Sequence, residues 1–526
     1  MTQPNPPGNQ ADLDPIADSK CDMKKTQDLD VGAAIFNGTI HPIEVDSHET
    51  RKVLRKIDMF LLPILAFTYM IQFLDKSCIS YAALWGMKED AHLVNDQYSW
   101  LTTIFYLGYM AGEFPINMLF QKFDIAKTCG IFIILWGATL LCMTAGHNFA
   151  GLATARLFLG ILEAGVSPCF VLLTTMFYTR SEQPLRTSIW FSMNGVANIL
   201  GGLIAYGIGH LHAALPAWKF PFIIFGSITV AWGIIFILVT PSNPTKARWL
   251  SEREKEVAVL RVVENETGID NKTFKMEQVK EALLDPRFWL INLQCLANTI
   301  PNVRLPFHLS QLGQANSSQG AVSAFAPLIV NGFGFTKFQS TLLGMPSGAS
   351  QVLALWISGY LATRFKGIRH FLMIGGLLVA LLGGVLIFAL PESNRVGRLI
   401  GYYLLVGFSV TFVLSLTLVQ SNVAGRTKKT MFASSFFVSY CVGNLIGPQL
   451  FFSREAPRYQ SGFASMIVCF VVQIAIVTVM YTVNARENKR RDLLNPNSPE
   501  EQHDTGVSLG LSDMTDVQNL HFRYVL

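Results

Sequence analysis

Four ionisable residues lie inside long apolar runs of the sequence. Arg156 and Glu163 are seven residues apart in the run 151–178. On a helix this spacing is about two turns and roughly 10 Å of rise, so both side chains would point to nearly the same side. Asp75 and Lys76 are adjacent in the first apolar run. Ionisable groups at membrane depth are costly, and they persist where they face a protein interior or a water-filled path and have partners. These four residues are therefore candidates for the centre of a transport pathway. The alternative is that they form two salt bridges that hold a helix bundle together.

The composition is that of a helical membrane protein. Only 15% of the 526 residues are charged and 51% are hydrophobic, whereas a soluble domain carries about 25% charged residues. The net charge of +5 does not indicate nucleic-acid binding, because the basic residues stand in short segments between apolar runs. The eight cysteines are scattered, without a CxxC motif or a Cys/His cluster, so no disulfide framework or metal site is predicted. Walker A, GxSxG and HExxH motifs are absent from the sequence, so we expect neither an enzyme nor a bound cofactor.

Twelve apolar runs are long enough to become membrane helices, and they are arranged as six, a polar interval and six. This pattern predicts an all-α membrane protein with twelve transmembrane helices in two six-helix bundles. We expect a disordered cytoplasmic tail at 1–50, a first bundle at 51–240, a cytoplasmic linker with an amphipathic helix at 241–286, a second bundle at 287–484 and a cytoplasmic tail at 485–526. In the linker, Ser251 followed by Glu254 is the pattern of a helix-capping box.

The basic residues predict the orientation of the helices. With both termini in the cytoplasm, the short cytoplasmic flanks of the runs hold eighteen Lys and Arg residues, and the opposite flanks hold seven. Basic residues concentrate on the cytoplasmic side of membrane proteins, which favours this orientation. We expect a multi-pass protein of the plasma membrane, with a vacuolar or other internal membrane as the alternative.

Residues 303–319 interrupt the seventh run with a charged segment rich in Gln and Ser. Lipid cannot satisfy the backbone of such a segment, and without it the flanking stretches would join into one apolar helix. The segment begins with a Val, whose codons start with GT, and ends with a Gln, one of whose codons ends in AG. Its codons make 17 × 3 = 51 bases, in frame. One hypothesis is a retained intron, and the alternative is a real outer loop that divides the run.

The six-plus-six organisation and the basic turns after the second and eighth runs resemble the major facilitator superfamily, whose signature at these turns is roughly G-x-L-A-D-R-x-G-R-R. The second half matches it at Gly359, Leu361, Ala362, Arg364 and Arg369, with Thr363 in place of the acid, whereas the first half departs from it at Asn117 and Gln121. The ordered set FLDKSCIS, GEFPINMLFQKF, RLFLGILEAGVSPCF, ARWLSEREKEVA, SAFAPLIVNGFGF and LSDMTD…FRYVL is similar to the fungal allantoate permease family, within the anion:cation symporters. The resemblance covers about residues 50–526.

This resemblance implies the major facilitator fold and the import of small organic anions together with protons, by alternating access. It also implies that Asp75 and Glu163 carry the protons, and that Lys76 and Arg156 pair with them or meet a substrate carboxylate. Tyr109 lies six residues before Pro115, where related symporters place a Tyr that contacts substrate. The alternative for Tyr109 is an ordinary packing role.

Several asparagines in the apolar runs are further candidates for substrate binding. Asn194 and Asn198 are one turn apart on the fifth run, so they share a helix face. A buried Asn must be hydrogen-bonded, either to substrate or to a neighbouring helix. Asn331 and Asn444 carry the same two interpretations.

The leading hypothesis is a secondary active transporter that carries a small organic anion, such as allantoate, nicotinate or a vitamin-like carboxylate, by proton symport. Its partners would be this anion, protons and the lipid bilayer, with no nucleic acid, and we expect a monomer. One alternative is an exporter of a fungal metabolite that works by proton antiport. Another is a nutrient-sensing transceptor, although the tails are short and hold no recognisable domain.

Overall fold

The computed structural model describes residues 46–94, 97–208, 215–263, 265, 274–300, 337–391, 393–446, 460–494 and 514–526. The segment 303–319, Asn331 and most of the predicted N-terminal tail lie outside the described residues. Within the described ranges, every regular element is a helix.

We number the α-helices in chain order: α1 Ser47–Leu84, α2 Met87–Asp90, α3 Gln97–Lys122, α4 Ile125–Cys142, α5 Phe149–Glu163, α6 Val166–Phe177, α7 Gln183–Ile208, α8 Lys219–Val239, α9 Glu252–Val263, α10 Met276–Leu284, α11 Pro286–Thr299, α12 Lys337–Arg364, α13 Arg369–Ala389, α14 Arg395–Leu405, α15 Phe408–Asn422, α16 Arg426–Ile446 and α17 Gln460–Leu494. Short 3-10 helices follow α4 and α8, at Met143–Ala145 and Pro244–Lys246.

Seven spans in the described part of the chain are apolar and long enough to cross a membrane. They are α1, α4, α5 with α6, α8, α13, α14 with α15, and α17. The helices α3, α7, α12 and α16 also have the length of a span, with 21 to 28 residues each, but they carry more polar side chains. With α11 as the described start of the seventh run, the helices make two bundles of six spans.

The two bundles repeat the same local features at matching places. The fourth span consists of α5 and α6, with Gly165 between them, and the tenth span consists of α14 and α15, with Gly407 between them. The second and eighth spans, α3 and α12, contain an internal proline, Pro115 or Pro346, and each ends on a basic residue. These correspondences are those of a parallel repeat of two six-helix units.

The bundles meet along α7 and α12, whose backbones approach closely at two glycines. A methyl group added to Gly195 would lie 2.5 Å from the carbonyl oxygen of Gly348, and one added to Gly348 would lie 2.5 Å from that of Gly195. Neither position can therefore carry a side chain without moving a helix. Small residues at helix contacts are a common means of packing within membranes, where lipid supplies no hydrophobic drive between helices.

We call the end of the bundle that holds Ser47 and Leu494 the tail end, and the opposite end the far end. At the tail end, side chains of the two bundles are hydrogen-bonded to each other. Gln121 Nε2 donates to Thr427 Oγ1 over 3.0 Å, and Thr187 Oγ1 donates to Gln420 over 3.1 Å. Thr363, which replaces the acid of the superfamily signature, accepts the backbone N–H of Leu185 at the start of α7. The structure therefore has the two halves in contact at the tail end.

The linker helix α9 packs against the tail end of the first bundle. Its start has the reciprocal bonds of a capping box, with Ser251 N donating to Glu254 and Glu254 N donating to Ser251 Oγ. Lys56 of α1 lies 2.6 Å from Glu254, and Arg261 lies 2.7 Å from Glu182. These contacts make α9 a brace on the first bundle.

Candidate functional site

A cavity lies between the two bundles and is lined by side chains of both. Its first-bundle wall carries Gln72, Lys76, Tyr109, Ser167, Asn194 and Asn198, and its second-bundle wall carries Asn298, Thr299, Ser347, Gln351, Tyr402, Ser409 and Tyr440. Aromatic side chains such as Phe73 and Phe412 complete the lining. Among the described lining residues, Lys76 is the one with a formal charge. Such a mixture of apolar walls and converging polar groups is typical of a small-molecule site.

Lys76 pairs with Glu163 at the edge of this cavity. Its Nζ lies 2.9 Å from Glu163 Oε1, and the Lys76 side chain is 24% exposed whereas that of Glu163 is fully buried. The ammonium also lies 5.3 Å from the ring centroid of Tyr109, within the range of a cation–π contact. The ammonium of Lys76 therefore faces the cavity, and the carboxylate of Glu163 lies behind this ammonium.

Asp75 points away from the cavity, into the first bundle. Adjacent residues on a helix differ in direction by about 100°, so Asp75 and Lys76 cannot face the same neighbours. The Thr229 hydroxyl of α8 donates to Asp75 Oδ2 over 2.7 Å, and Asp75 is completely buried. The structure thus brings Lys76 to Glu163 and separates both from Asp75.

Arg156 shares a face of α5 with Glu163, two turns nearer the far end. It is buried and is absent from the described cavity lining. Its charge acts on Glu163 and on Cys78 of α1. Arg156 is thus in electrostatic contact with the ion pair, inside the first bundle.

The other predicted residues divide between the cavity and the helix packing. Tyr109, Asn194 and Asn198 line the cavity, as a substrate-binding role requires. Asn444 of α16 is outside the lining, and its Nδ2 donates to the carbonyl of Tyr440 one turn earlier. These roles stay predictions.

Sequence reasoning missed Glu113 of α3, a fully buried carboxyl in the GEFP stretch. The rule that selected Asp75 and Glu163, an ionisable residue within an apolar run, applies to Glu113 equally well and could have found it. Sequence reasoning also missed the polar wall of the second bundle. There, Gln351 donates to Ser409 over 3.1 Å and Tyr402 donates to Ser347 over 3.2 Å. Single Ser and Gln residues within apolar runs gave no comparable signal.

The sequence model of the Major Facilitator Superfamily matches residues 65–448. The chain belongs to the Major Facilitator Superfamily. It is a membrane transporter, and the predicted fold of twelve helices in two bundles is confirmed. The transporter is 40% identical to an uncharacterized transporter of Schizosaccharomyces pombe, over 90% of its own length and 87% of the relative's.

The transporter is also 35% identical to the allantoate permease of Saccharomyces cerevisiae, over 92% of its own length and 88% of the permease. The predicted likeness to the allantoate permease family is therefore confirmed. Among solved structures, the proton:xylose symporter XylE aligns with a TM-score of 0.59 at 12% identity, covering 83% of this chain and 96% of XylE. At that identity the likeness concerns the fold alone.

Proposed function

We propose that this transporter carries a small organic anion together with protons, by alternating access of the central cavity to the two sides of the membrane. The observation that carries the proposal is the placement of Lys76, the charged residue of the described cavity lining, against the buried carboxyl of Glu163. A cation that faces a cavity attracts an anion, and a carboxyl that neutralises this cation can make the attraction depend on protonation. An allantoate-, nicotinate- or vitamin-like carboxylate is the substrate class that we propose.

The coupling follows from the charge of the pair. With Glu163 ionised, Lys76 is neutralised at 2.9 Å and offers little net charge to the cavity. When Glu163 takes up a proton, the pair gains one positive charge, and the Lys76 ammonium becomes available to a substrate carboxylate. When the proton leaves on the other side, the pair forms again and the anion is released. The ligand shifts the equilibrium by its different affinities for the two states.

The neutral lining suits a polar anion with amide groups. Five side-chain amides line the cavity, and each can donate and accept hydrogen bonds: Gln72, Asn194, Asn198, Asn298 and Gln351. Allantoate, whose name the permease relative carries, has urea-like groups that match such side chains. Asp75 is our candidate for a second proton-binding group, acting within the first bundle through its contact with Thr229.

We further propose that the transporter works in the plasma membrane with its tail end in the cytoplasm. The basic residues of the flanks favour that orientation. The inward proton gradient of the plasma membrane would then drive accumulation.

The test is uptake of radiolabelled allantoate into proteoliposomes, with and without an acidic outer pH. Glu163→Gln should abolish accumulation driven by the pH gradient but retain exchange of labelled for unlabelled substrate, because Gln resembles the protonated acid and cannot cycle. Glu252→Gln is the matched control, since the Glu252 side chain is 88% exposed on α9. Normal accumulation by Glu163→Gln would contradict the coupling, and allantoate efflux driven by the gradient would favour an exporter.

A further inference from the structure

Glu113 is a buried acid that forms no ion pair with the Lys and Arg residues of the described ranges. It is 0% exposed, and its Oε1 accepts a 3.3 Å hydrogen bond from Asn117 Nδ2. Its Oε2 has no hydrogen-bond partner among the described residues. An ionised carboxylate in such a place costs far more than the neutral acid. In this conformation Glu113 is therefore stable as the neutral acid.

Glu113 lies on the face of α3 that meets the second bundle. Tyr106 is two turns earlier on this face, and its ring centroid is 6.3 Å from that of Tyr440 on α16. Gln121, about two turns later, bonds to Thr427 of α16. A rocking motion of the bundles must change this seam, so it would change the surroundings of Glu113.

The charge of the Lys76 ammonium acts on both acids. The ammonium is paired with Glu163 on α5, and it lies over the ring of Tyr109, one turn before Glu113. The other titratable groups near Glu113 are Tyr109 on its own helix and Cys441 on α16. Among the groups around Glu113, Lys76 is thus the described cation that can balance it once its proton leaves.

We propose that Glu113 is a further proton-binding carboxyl of the cycle, besides Glu163 and Asp75, and the alternative partner of Lys76. In the conformation in which the halves meet at the tail end, Lys76 forms an ion pair with ionised Glu163, and Glu113 is protonated. When Glu163 binds one proton from water, Lys76 is free to hold the substrate carboxylate. After the anion leaves, Glu113 releases one proton to water and Lys76 turns to Glu113. The charge of the three groups together is then the same in the two substrate-free conformations. This proposal extends the proposed function, because it assumes that protonation of Glu163 frees Lys76.

Infrared spectroscopy of the purified, reconstituted transporter tests this proposal without a substrate. A protonated carboxyl has a C=O absorption separate from that of carboxylates. At neutral pH, Glu113→Gln should remove the absorption of one protonated carboxyl, and Glu113→Asp should shift it. Glu252→Gln should leave it unchanged. Glu163→Gln should also remove it, because Lys76 loses its partner and turns to Glu113, which then ionises.

Two results would overturn the proposal: an unchanged absorption in folded Glu113→Gln protein, or a Glu113 absorption that persists in Glu163→Gln. A purely structural Glu113 predicts the second result. Allantoate uptake is measured separately, so a wrong substrate assignment would leave the infrared result interpretable.

A separate observation concerns the C-terminal strap, which we define as residues 514–526. This segment docks at the tail end, and its Thr515, Asp516, Asn519, Phe522 and Tyr524 are buried. Lys428 of α16 lies 2.9 Å from Asp516, while Arg491 of α17 donates to the carbonyls of Asn519 and Phe522. The strap is therefore part of the packed structure of the second bundle.

The strap also touches the first bundle, through Arg180 in the turn between α6 and α7. Arg180 Nη1 donates to the carbonyl of Arg523 over 3.4 Å, and its guanidinium lies 4.2 Å from the ring centroid of Phe522. Arg369 of α13 donates to the carbonyl of Arg180 beside this contact. Separation of the halves at the tail end would have to break the contact between Arg180 and the strap.

We infer that the C-terminal strap stabilises the conformation in which the halves meet at the tail end, and that it releases Arg180 when that end opens. The test is a thiol cross-link between Gln121→Cys and Thr427→Cys, whose native side chains are 3.0 Å apart across the halves. Phe522→Ala should slow this cross-link by roughly threefold to thirtyfold, the range for loss of one partly desolvated Arg–aromatic contact.

Arg180→Ala should have the same effect while it leaves the strap docked on the second bundle. Val517→Ala is the control, because Val517 of the strap is 41% exposed. Cross-linking at the control rate in folded Phe522→Ala and Arg180→Ala proteins would overturn the inference.

Discussion

Lys76 is the residue on which the proposed substrate class depends. If a substrate carboxylate binds its ammonium, Lys76→Met should weaken the apparent affinity for allantoate by about 10- to 100-fold. This is the loss expected when a hydrogen bond to a charged group, which contributes about 1.5–3 kcal/mol, is removed. Lys76→Arg keeps the charge and adds a planar fork that suits a carboxylate, so it should retain most of the affinity. Uptake isotherms of both variants check this. An equal loss of apparent affinity in Lys76→Met and Lys76→Arg would indicate that the role of Lys76 is packing against Tyr109.

Arg156 has a different expected behaviour, because it lies outside the cavity lining. Arg156→Lys keeps a positive charge near Glu163 and should leave the apparent affinity for allantoate within about threefold of wild type, which is about 0.7 kcal/mol. Arg156→Ala removes a buried charge that acts on Glu163, and should lower the thermal stability of the purified protein. An affinity that collapses in Arg156→Lys while the protein stays folded would return Arg156 to the substrate site.

The sequence predicts which residues are unusual better than it predicts their partners. An ionisable residue in an apolar run is visible without a structure, which is how Lys76 and Glu163 were found. That Asp75 bonds Thr229 and not Arg156 depends on the rotation of α1 against α8. This rotation is set by side-chain packing across more than 150 residues of sequence. Glu113 obeys the same rule, but no basic residue stands beside it in the sequence to mark it as part of a pair.

At the scale of elements, the contact of α7 with α12 is a sensitive point. Gly195→Ala would place a methyl group 2.5 Å from the carbonyl oxygen of Gly348, and such overpacking costs about 1–3 kcal/mol. We expect a lower unfolding temperature and less transport. Gly375→Ala is the matched control, because a methyl group there meets no neighbour within 4 Å. An unchanged unfolding temperature in Gly195→Ala would contradict this expectation. It would show that α7 and α12 can move apart without a loss of stability.

The ion pair of Asp285 with Lys428, which also holds the strap, should not depend on pH in the physiological range. Asp285, between α10 and α11, lies 3.1 Å from Lys428, which also holds Asp516. Burial opposes the ionisation of Asp285, but the charge of Arg287 and hydrogen bonds outweigh it, so the pKa of Asp285 lies below its ordinary value of 3.8. Because its pKa is lower in the folded state, ionised Asp285 stabilises the folded protein above about pH 3.8. This contribution is lost as the pH falls through the pKa of the folded state.

The ratio of the cross-linking rates with the Phe522→Ala strap and the wild-type strap should therefore be equal at mildly acidic and neutral pH in a Glu113→Gln, Glu163→Gln background. The ratio is compared because the ionisation of the two thiols changes both rates equally. A pH dependence of this ratio would mean that another group, at the tail end, senses protons.

At the scale of the whole molecule, the twelve runs and their division into six and six were readable from hydropathy, because each span must be apolar along its length. The repeat was readable too, from the basic turns after α3 and α12. The packing of the strap was not, since the sequence predicts only a polar cytoplasmic tail at 485–526. It is ordered by Lys428, Arg491 and Arg180, which lie in three separate parts of the sequence.

The orientation of the molecule gives the last prediction. Val94, in the turn before α3 at the far end, is 57% exposed, and Glu252, on α9 at the tail end, has a side chain that is 88% exposed. If the tail end lies in the cytoplasm, a membrane-impermeant maleimide applied to intact cells should label Val94→Cys and not Glu252→Cys, each in a background without the native cysteines, because Cys142 is exposed at the far end of α4. Permeabilised cells should show both labelled. The reverse pattern would contradict the orientation, and it would also reverse the direction in which the plasma-membrane proton gradient acts on Glu163. Labelling of neither variant in intact cells, with both labelled after permeabilisation, would place the transporter in an internal membrane.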